Sequence, residues 1–247
     1  MKYASRGNVS PFFAMEVFKA ANKREAEGKP VFHMEVGQPA TSAPIAVKEA
    51  AAKALADEQI GYTDALGILP LRKAIADHYG TFYGINVDPA RVVVTTGSSA
   101  GFLLSFLSLF NANDRVALAE PGYPAYRNIL QSLDVEPVGL PCDVATNFQP
   151  NPQLLDNIEG PLHGLLVASP ANPTGTMLTP DELKALIDYS RAKNMHFISD
   201  EIYHGLTYET KAISALSYSD DVVVINSFSK HFSMTGWRLG WMIVPED

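Results

Sequence analysis

A single lysine stands in a hydroxyl-rich loop late in the sequence, Ser227-Phe228-Ser229-Lys230, fed by the β-branched run Val222–Asn226 and followed eight residues later by Arg238. An amine in that setting can form an imine with an aldehyde. Serine hydroxyls and a planar guanidinium fork suit a phosphate. Together these residue types predict a site for an aldehyde cofactor carrying a phosphate tail.

Such a site needs elements that aim its parts at one place. Short apolar runs read as strands at Arg91–Thr95, Arg115–Ala119, Val135–Leu140, Leu162–Ala168, Met195–Ser199 and Val222–Asn226, with a further strand after the lysine loop. Helices are expected between most of them, at Ser98–Phe110, Ala125–Leu133, Pro152–Ile158 and Pro180–Lys193. The first quarter reads as helical: one helix capped by Ser10-Pro11 and closed by Gly28, a second from Pro44 to Asp57, a third from Pro70 to Tyr79. Alternation of almost fully apolar strands with helices predicts an α/β fold, a mostly parallel sheet sandwiched by helices.

In open sheets of this kind ligands bind outside the carboxyl ends of the strands. The polar residues collect there: Gly97-Ser98-Ser99, Glu120-Pro121-Gly122-Tyr123, Ser169 through Asn172-Pro173-Thr174-Gly175, Asp200-Glu201-Ile202-Tyr203, and Ser227 to Lys230. Each group has a plainer reading. Ser98 and Ser99 could cap a helix, and Asn172-Pro173-Thr174-Gly175 has turn chemistry. Asp200 could equally be a cap, Tyr123 and Tyr203 could pack as rings, Arg238 could pair with a surface acid, and Gly37 could serve a turn. Five groups at the ends of five of the six strands favour a common crevice.

Composition narrows the function classes. The 247 residues are 47% hydrophobic with a formal charge of −8, which argues against a nucleic-acid partner. The most apolar stretch, Phe102 to Phe110, is too short for a bilayer span, and no basic run suggests a membrane surface. Cys142 is the sole cysteine and the first residues lack a signal-peptide core, so a cytoplasmic location is expected. No Gly-x-x-x-x-Gly-Lys-Ser/Thr or Gly-x-Gly-x-x-Gly loop is present, and the histidines make no short-spaced zinc motif, so no metal is expected.

Asn172-Pro173-Thr174-Gly175, Asp200-Glu201-Ile202-Tyr203 and Ser227-Phe228-Ser229-Lys230 with Arg238 resemble the pyridoxal-phosphate-dependent class I/II aminotransferases of fold type I, and the similarity runs from Glu35-Val36-Gly37-Gln38-Pro39 to the end. The resemblance implies that Lys230 bonds pyridoxal 5'-phosphate and later moves the substrate's α-proton. It implies that Asp200 pairs with the pyridine nitrogen, that Asn172 and Tyr203 hydrogen-bond the ring oxygen, and that Tyr123 stacks on the ring. Ser98, Ser99, Ser227 and Arg238 would hold the phosphate, joined by Tyr62 from the partner subunit of a homodimer. Gly37 would lie by the substrate carboxylate. The implied substrates are an amino acid and a 2-oxo acid.

Members of that family are longer, and their substrate-carboxylate arginine lies in a C-terminal smaller domain. Neither Arg115 nor Arg127 matches that position. The expectation is therefore a C-terminally incomplete chain, with residues 1–43 belonging to the small domain and 44–247 forming a truncated cofactor-binding large domain. Turnover by such a chain would be impaired. Lyase or decarboxylase chemistry on an amino acid, or a non-catalytic cofactor-binding remnant, are the alternatives.

Overall fold

The computed structural model describes residues 4–57 and 60–246; Met1–Tyr3 and Asp247, which enter the sequence reading at its two ends, lie outside the described residues. Seven strands form one sheet: β1 (Val92–Thr95), β2 (Arg115–Glu120), β3 (Glu136–Pro141), β4 (Gly164–Ala168), β5 (His196–Asp200), β6 (Val223–Ser227) and β7 (Gly240–Ile243). Their spatial order is β1-β7-β6-β5-β4-β2-β3. The pairs from β3 through β6 are parallel, in agreement with the apolar runs. β7 is the exception: it runs antiparallel between β1 and β6.

Gly240 shows why β7 begins with glycine. A Cβ there would come within 2.9 Å of the Asn226 carbonyl and the Gly97 backbone, where the strand passes beneath the helix that follows β1. β6 and β7 form a hairpin whose long connecting segment, residues 228–239, carries Lys230 and Arg238. The pairing of Ser227 with Gly240 closes its base.

Among the described residues, seven α-helices accompany the strands: α1 (Phe13–Ala26), α2 (Ile45–Asp57), α3 (Leu69–Tyr83), α4 (Ser98–Leu109), α5 (Pro124–Ser132), α6 (Pro152–Asp156) and α7 (Pro180–Ala192). α4 and α5 cover one face through Phe102, Phe106, Tyr126 and Leu130. α3, α6 and α7 cover the other through Ile75, Tyr79, Leu155, Leu186 and Ile187. Burying both faces requires strands without polar alternation, which is the pattern read from the sequence. Thr179 and Glu182 form a reciprocal cap that starts α7.

Several helix bounds differ from expectation by a residue or two, and two differ for a visible reason. α1 starts at Phe13 rather than at a Ser10-Pro11 cap, because Phe12 stays extended and the Ser10 carbonyl accepts from Asn128 instead. α3 continues past Tyr79 to Tyr83 and ends on Gly84 in the left-handed conformation, φ 73°. α1 and α2 contain no buried residue among those described. No described helix is long and apolar enough to cross a membrane.

Candidate active site

Above the carboxyl ends of the strands lies a cavity of about 480 Å³ whose walls include Phe12, Gly37, Tyr123, Asn172, Tyr203 and Lys230. The hairpin brings Lys230 in from one side. Its Nζ donates to the Gly37 carbonyl at 2.7 Å and stands 5.7 Å from the centroid of the Tyr203 ring. Burial holds the Lys230 amine below the usual lysine value, while the charge of Asp200 pulls the other way. The loop is braced from within: Ser227 Oγ bonds the Leu239 carbonyl at 3.0 Å and accepts from the Ser229 N–H at 3.0 Å. Ser227 and Ser229 are both buried.

β5 ends on Asp200, whose carboxyl group is buried. Oδ2 accepts from the Tyr126 hydroxyl and Oδ1 from the Ile202 N–H at 3.1 Å. Burial raises this carboxyl to about 6, the charge of Glu201 adds to the rise, and the two hydrogen bonds and Lys230 oppose it. A cation placed beside it would restore the charged form. Two residues on, the chain turns and presents Tyr203. Asn172 Nδ2 donates to the Tyr203 hydroxyl at 3.3 Å, which leaves the phenolic proton and the second amide N–H for an outside acceptor. Burial, foremost, keeps Tyr203 protonated by raising its value.

The turn carrying Asn172 is held from below by Gln149, which donates to the Thr176 carbonyl at 2.8 Å, and the turn closes on itself through Gly175 N–H to the Ala171 carbonyl at 2.8 Å. On the other side Tyr123 meets Phe12 edge-on at 5.7 Å and Tyr126 at 5.3 Å.

The end of β1 completes the arrangement. Gly97 takes φ 83° and Ser98 and Ser99 open α4, whose first N–H groups have no partner within the helix. Arg238, itself left-handed at φ 52°, donates to the Thr235 carbonyl at 2.9 Å and lays its guanidinium against Gly97, where any Cβ would collide with it. A guanidinium beside a helix N-terminus is a phosphate cradle. Tyr62 stands fully exposed and is not part of the cavity wall.

These groups fit pyridoxal phosphate: an amine for the aldehyde, a buried carboxylate for the ring nitrogen, two aligned donors for the ring oxygen, and a guanidinium with helix N–H groups for the phosphate. The structure brings together Lys230, Asp200, Asn172, Tyr203, Tyr123, Gly37, Arg238 and the α4 start. Sequence reasoning missed Tyr126, Glu201, His204 and Gln149. Tyr126 follows Tyr123 by one helical turn, a spacing that could have revealed it. Gln149 carried no sequence signal at all.

The model of aminotransferase class I and II matches residues 29–247. A valine–pyruvate aminotransferase of Mycobacterium tuberculosis is 50% identical over 246 residues, which is 99% of this chain and 63% of that relative. The crystal structure of an aminotransferase from Mycobacterium tuberculosis superposes with a TM-score of 0.96 at 50% identity, over 100% of this chain and 64% of that one. The aspartate aminotransferase from Thermus thermophilus with maleate gives a TM-score of 0.94 at 28% identity, over 99% and 65%. The chain thus spans just under two thirds of the length of these relatives. It belongs to the class I and II aminotransferase family, which works with pyridoxal phosphate.

Proposed function

We propose that this chain supplies the cofactor-binding part of an enzyme that transfers an amino group between an amino acid and a 2-oxo acid. The observation that carries the reading is Lys230, its amine held below the usual lysine value in a cavity lined by Asn172 and Tyr203, with the charge of Asp200 within reach. Bound pyridoxal phosphate supplies an aldehyde and a ring that accepts electrons.

The chain's own residues do the rest. Arg238, Ser98, Ser99, Ser227 and the first N–H groups of α4 would hold the phosphate, and Ser227, bonded to the Leu239 carbonyl, also fixes the lysine loop. Asp200 binds the ring nitrogen in its protonated form, and Tyr126 keeps that carboxyl aimed. Asn172 and Tyr203 donate to the ring oxygen. Tyr123 covers the ring face. Lys230 Nζ would hold the cofactor's aldehyde end and, as a free amine, would take the proton from the substrate α-carbon; a lowered amine value suits that general base. Gly37, whose carbonyl meets Lys230, borders the space for the substrate carboxylate.

The 50% identical relative named for valine and pyruvate supports a small apolar amino donor with a small oxo acid, and so do the apolar cavity walls Phe12, Met15 and Val36. The same reading makes residues 1–43 part of a smaller domain and 44–247 part of the large one. It places the enzyme in cytoplasmic amino-acid metabolism as a homodimer to which Tyr62 contributes across the interface, without a nucleic-acid or membrane partner. The full exposure of Tyr62 supports that last role.

The test is to load the chain with pyridoxal phosphate, add valine, and follow conversion of the bound cofactor to its amine form, then add pyruvate and look for alanine. Slow, impaired conversion by valine and reversal by pyruvate are expected. Release of carbon dioxide or of a side-chain fragment from valine, in place of its oxo acid, would overturn transfer in favour of decarboxylase or lyase chemistry.

A further inference from the structure

Beneath the site lies a buried polar cluster that the proposed chemistry does not use. Glu201, 1% exposed, accepts through Oε1 from the Ala215 N–H at 2.8 Å, from Ser214 Oγ at 3.0 Å and from Ser199 Oγ at 3.2 Å. Its Oε2 has no partner and lies 3.5 Å from His204 Nδ1. His204 in turn bridges two separate parts of the chain. Nε2 is 2.9 Å from the Ser169 carbonyl, and Nδ1 is 2.8 Å from the Tyr83 hydroxyl at the end of α3.

These distances fix the tautomer. A carbonyl can only accept, so Nε2 carries the proton; Nδ1 is then the acceptor for the Tyr83 hydroxyl. Both ring nitrogens are satisfied by a neutral imidazole. Burial agrees, drawing His204 down to about 4, so the ring is neutral at ordinary pH. Tyr83 stays protonated because burial, with Glu201 nearby, raises it.

The anchored positions matter. His204 directly follows Tyr203, and Ser169 precedes Asn172 by three residues. Asn172 and Tyr203 lie on different turns and meet only through one 3.3 Å hydrogen bond. The geometry points to His204 as a positioning residue that ties the Asn172 turn to the Tyr203 turn, so that the two donors face one acceptor as a rigid pair. The inference rests on the reading of that pair as the cofactor's ring-oxygen site. A core histidine that merely filled space would not need its two nitrogens assigned to two elements.

The test compares His204→Leu, His204→Gln and Tyr83→Phe with the unaltered chain. Three quantities are read: the pH midpoint of the bound cofactor's visible absorbance, the dissociation constant for pyridoxal phosphate, and amide hydrogen exchange across residues 169–176. Donors to the ring oxygen favour its anionic form, so loosening them raises the midpoint. His204→Leu is expected to raise it by about one unit, weaken cofactor binding about tenfold and speed exchange in the Asn172 turn. His204→Gln, which can still donate to Ser169, is expected to restore most of each.

A folded His204→Leu chain with unchanged midpoint and exchange would overturn the tether, as would equal behaviour of the Gln and Leu variants. If His204→Leu does not fold, Tyr83→Phe decides: a smaller upward shift supports the tether and none overturns it. An unaltered chain that takes up no pyridoxal phosphate would count against the cofactor reading itself. The tether would then be judged on hydrogen exchange without cofactor, where the Leu variant must open the turn and the Gln variant must not.

Discussion

The floor of the cavity and its N-terminal wall are built by different means. Beneath the floor, Asp200, Glu201 and His204 sit at or just past the end of β5 with almost no exposure, and their polar atoms other than Glu201 Oε2 are matched by named partners. At the wall, α1 buries nothing, Phe32 is 91% exposed and Met34 90% exposed. That wall is joined to the site by a few contacts: Lys230 to the Gly37 carbonyl at 2.7 Å, Thr41 to Ser233 at 2.7 Å and Phe12 edge-on to Tyr123. The groups assigned to the cofactor depend on the sheet, whereas the substrate side depends on a segment that the sheet does not pack. Cofactor binding and substrate turnover should therefore be separable by mutation.

The severest challenge is Lys230→Ala. It removes the amine from the floor and the Gly37 contact from the wall together, and amino-group transfer should fall by at least about 10²–10⁴-fold. Single-turnover conversion of the bound cofactor by valine checks this; wild-type conversion would end the assignment.

Next in size is Glu201→Gln, which tests whether the floor is held under charge stress. Burial lifts Glu201 from 4.5 to about 7, so the folded chain retains a proton that the unfolded chain releases. That contribution is full below about pH 4.5 and is lost as pH rises through about 7. His204 is common to both proteins and cancels in the difference, and Asp200 loses only the lesser lift that the Glu201 charge gives it. The variant should gain on the parent by up to about 3 kcal/mol between about pH 5 and pH 8. Denaturant melts at both pH values measure it, and a constant difference would refute it.

Gly97→Ala probes the phosphate end. The new methyl meets the Arg238 guanidinium, and φ 83° adds backbone strain. Binding of pyridoxal phosphate should weaken by about ten- to a hundredfold, while pyridoxal without its phosphate should bind as before. Equal losses for both would place Arg238 elsewhere in function.

The smallest effect belongs to the wall. Phe32→Ser should change folding stability by no more than about 0.5 kcal/mol and reduce self-association of the chain, seen by sedimentation. A large loss of stability would show that this wall is packed as firmly as the floor.

Much of this was legible in the sequence because parallel strands and ligand sites obey simple rules. Apolar runs placed β1 to β6, and polar residues just beyond them located Lys230, Asp200, Asn172, Tyr203 and Arg238. β7 was harder to place, since four residues beginning with glycine say nothing of direction; it returns antiparallel to β6 and passes closely beneath the start of α4. The Ser10-Pro11 cap failed because a tertiary partner, Asn128, claimed the Ser10 carbonyl. Glu201, His204 and Gln149 were invisible for the same reason. Their meaning lies in partners distant in sequence, which no local pattern reports.

The β6–β7 hairpin has one more consequence. Because Lys230 and Arg238 sit on one connection whose base is closed by Ser227 and Gly240, the amine and the guanidinium are two marks on a single ruler. On the proposed reading, a ligand would be measured by the span between its aldehyde carbon and its anion. Compounds with the right groups at the wrong separation would engage one mark only, so the hairpin would select by length.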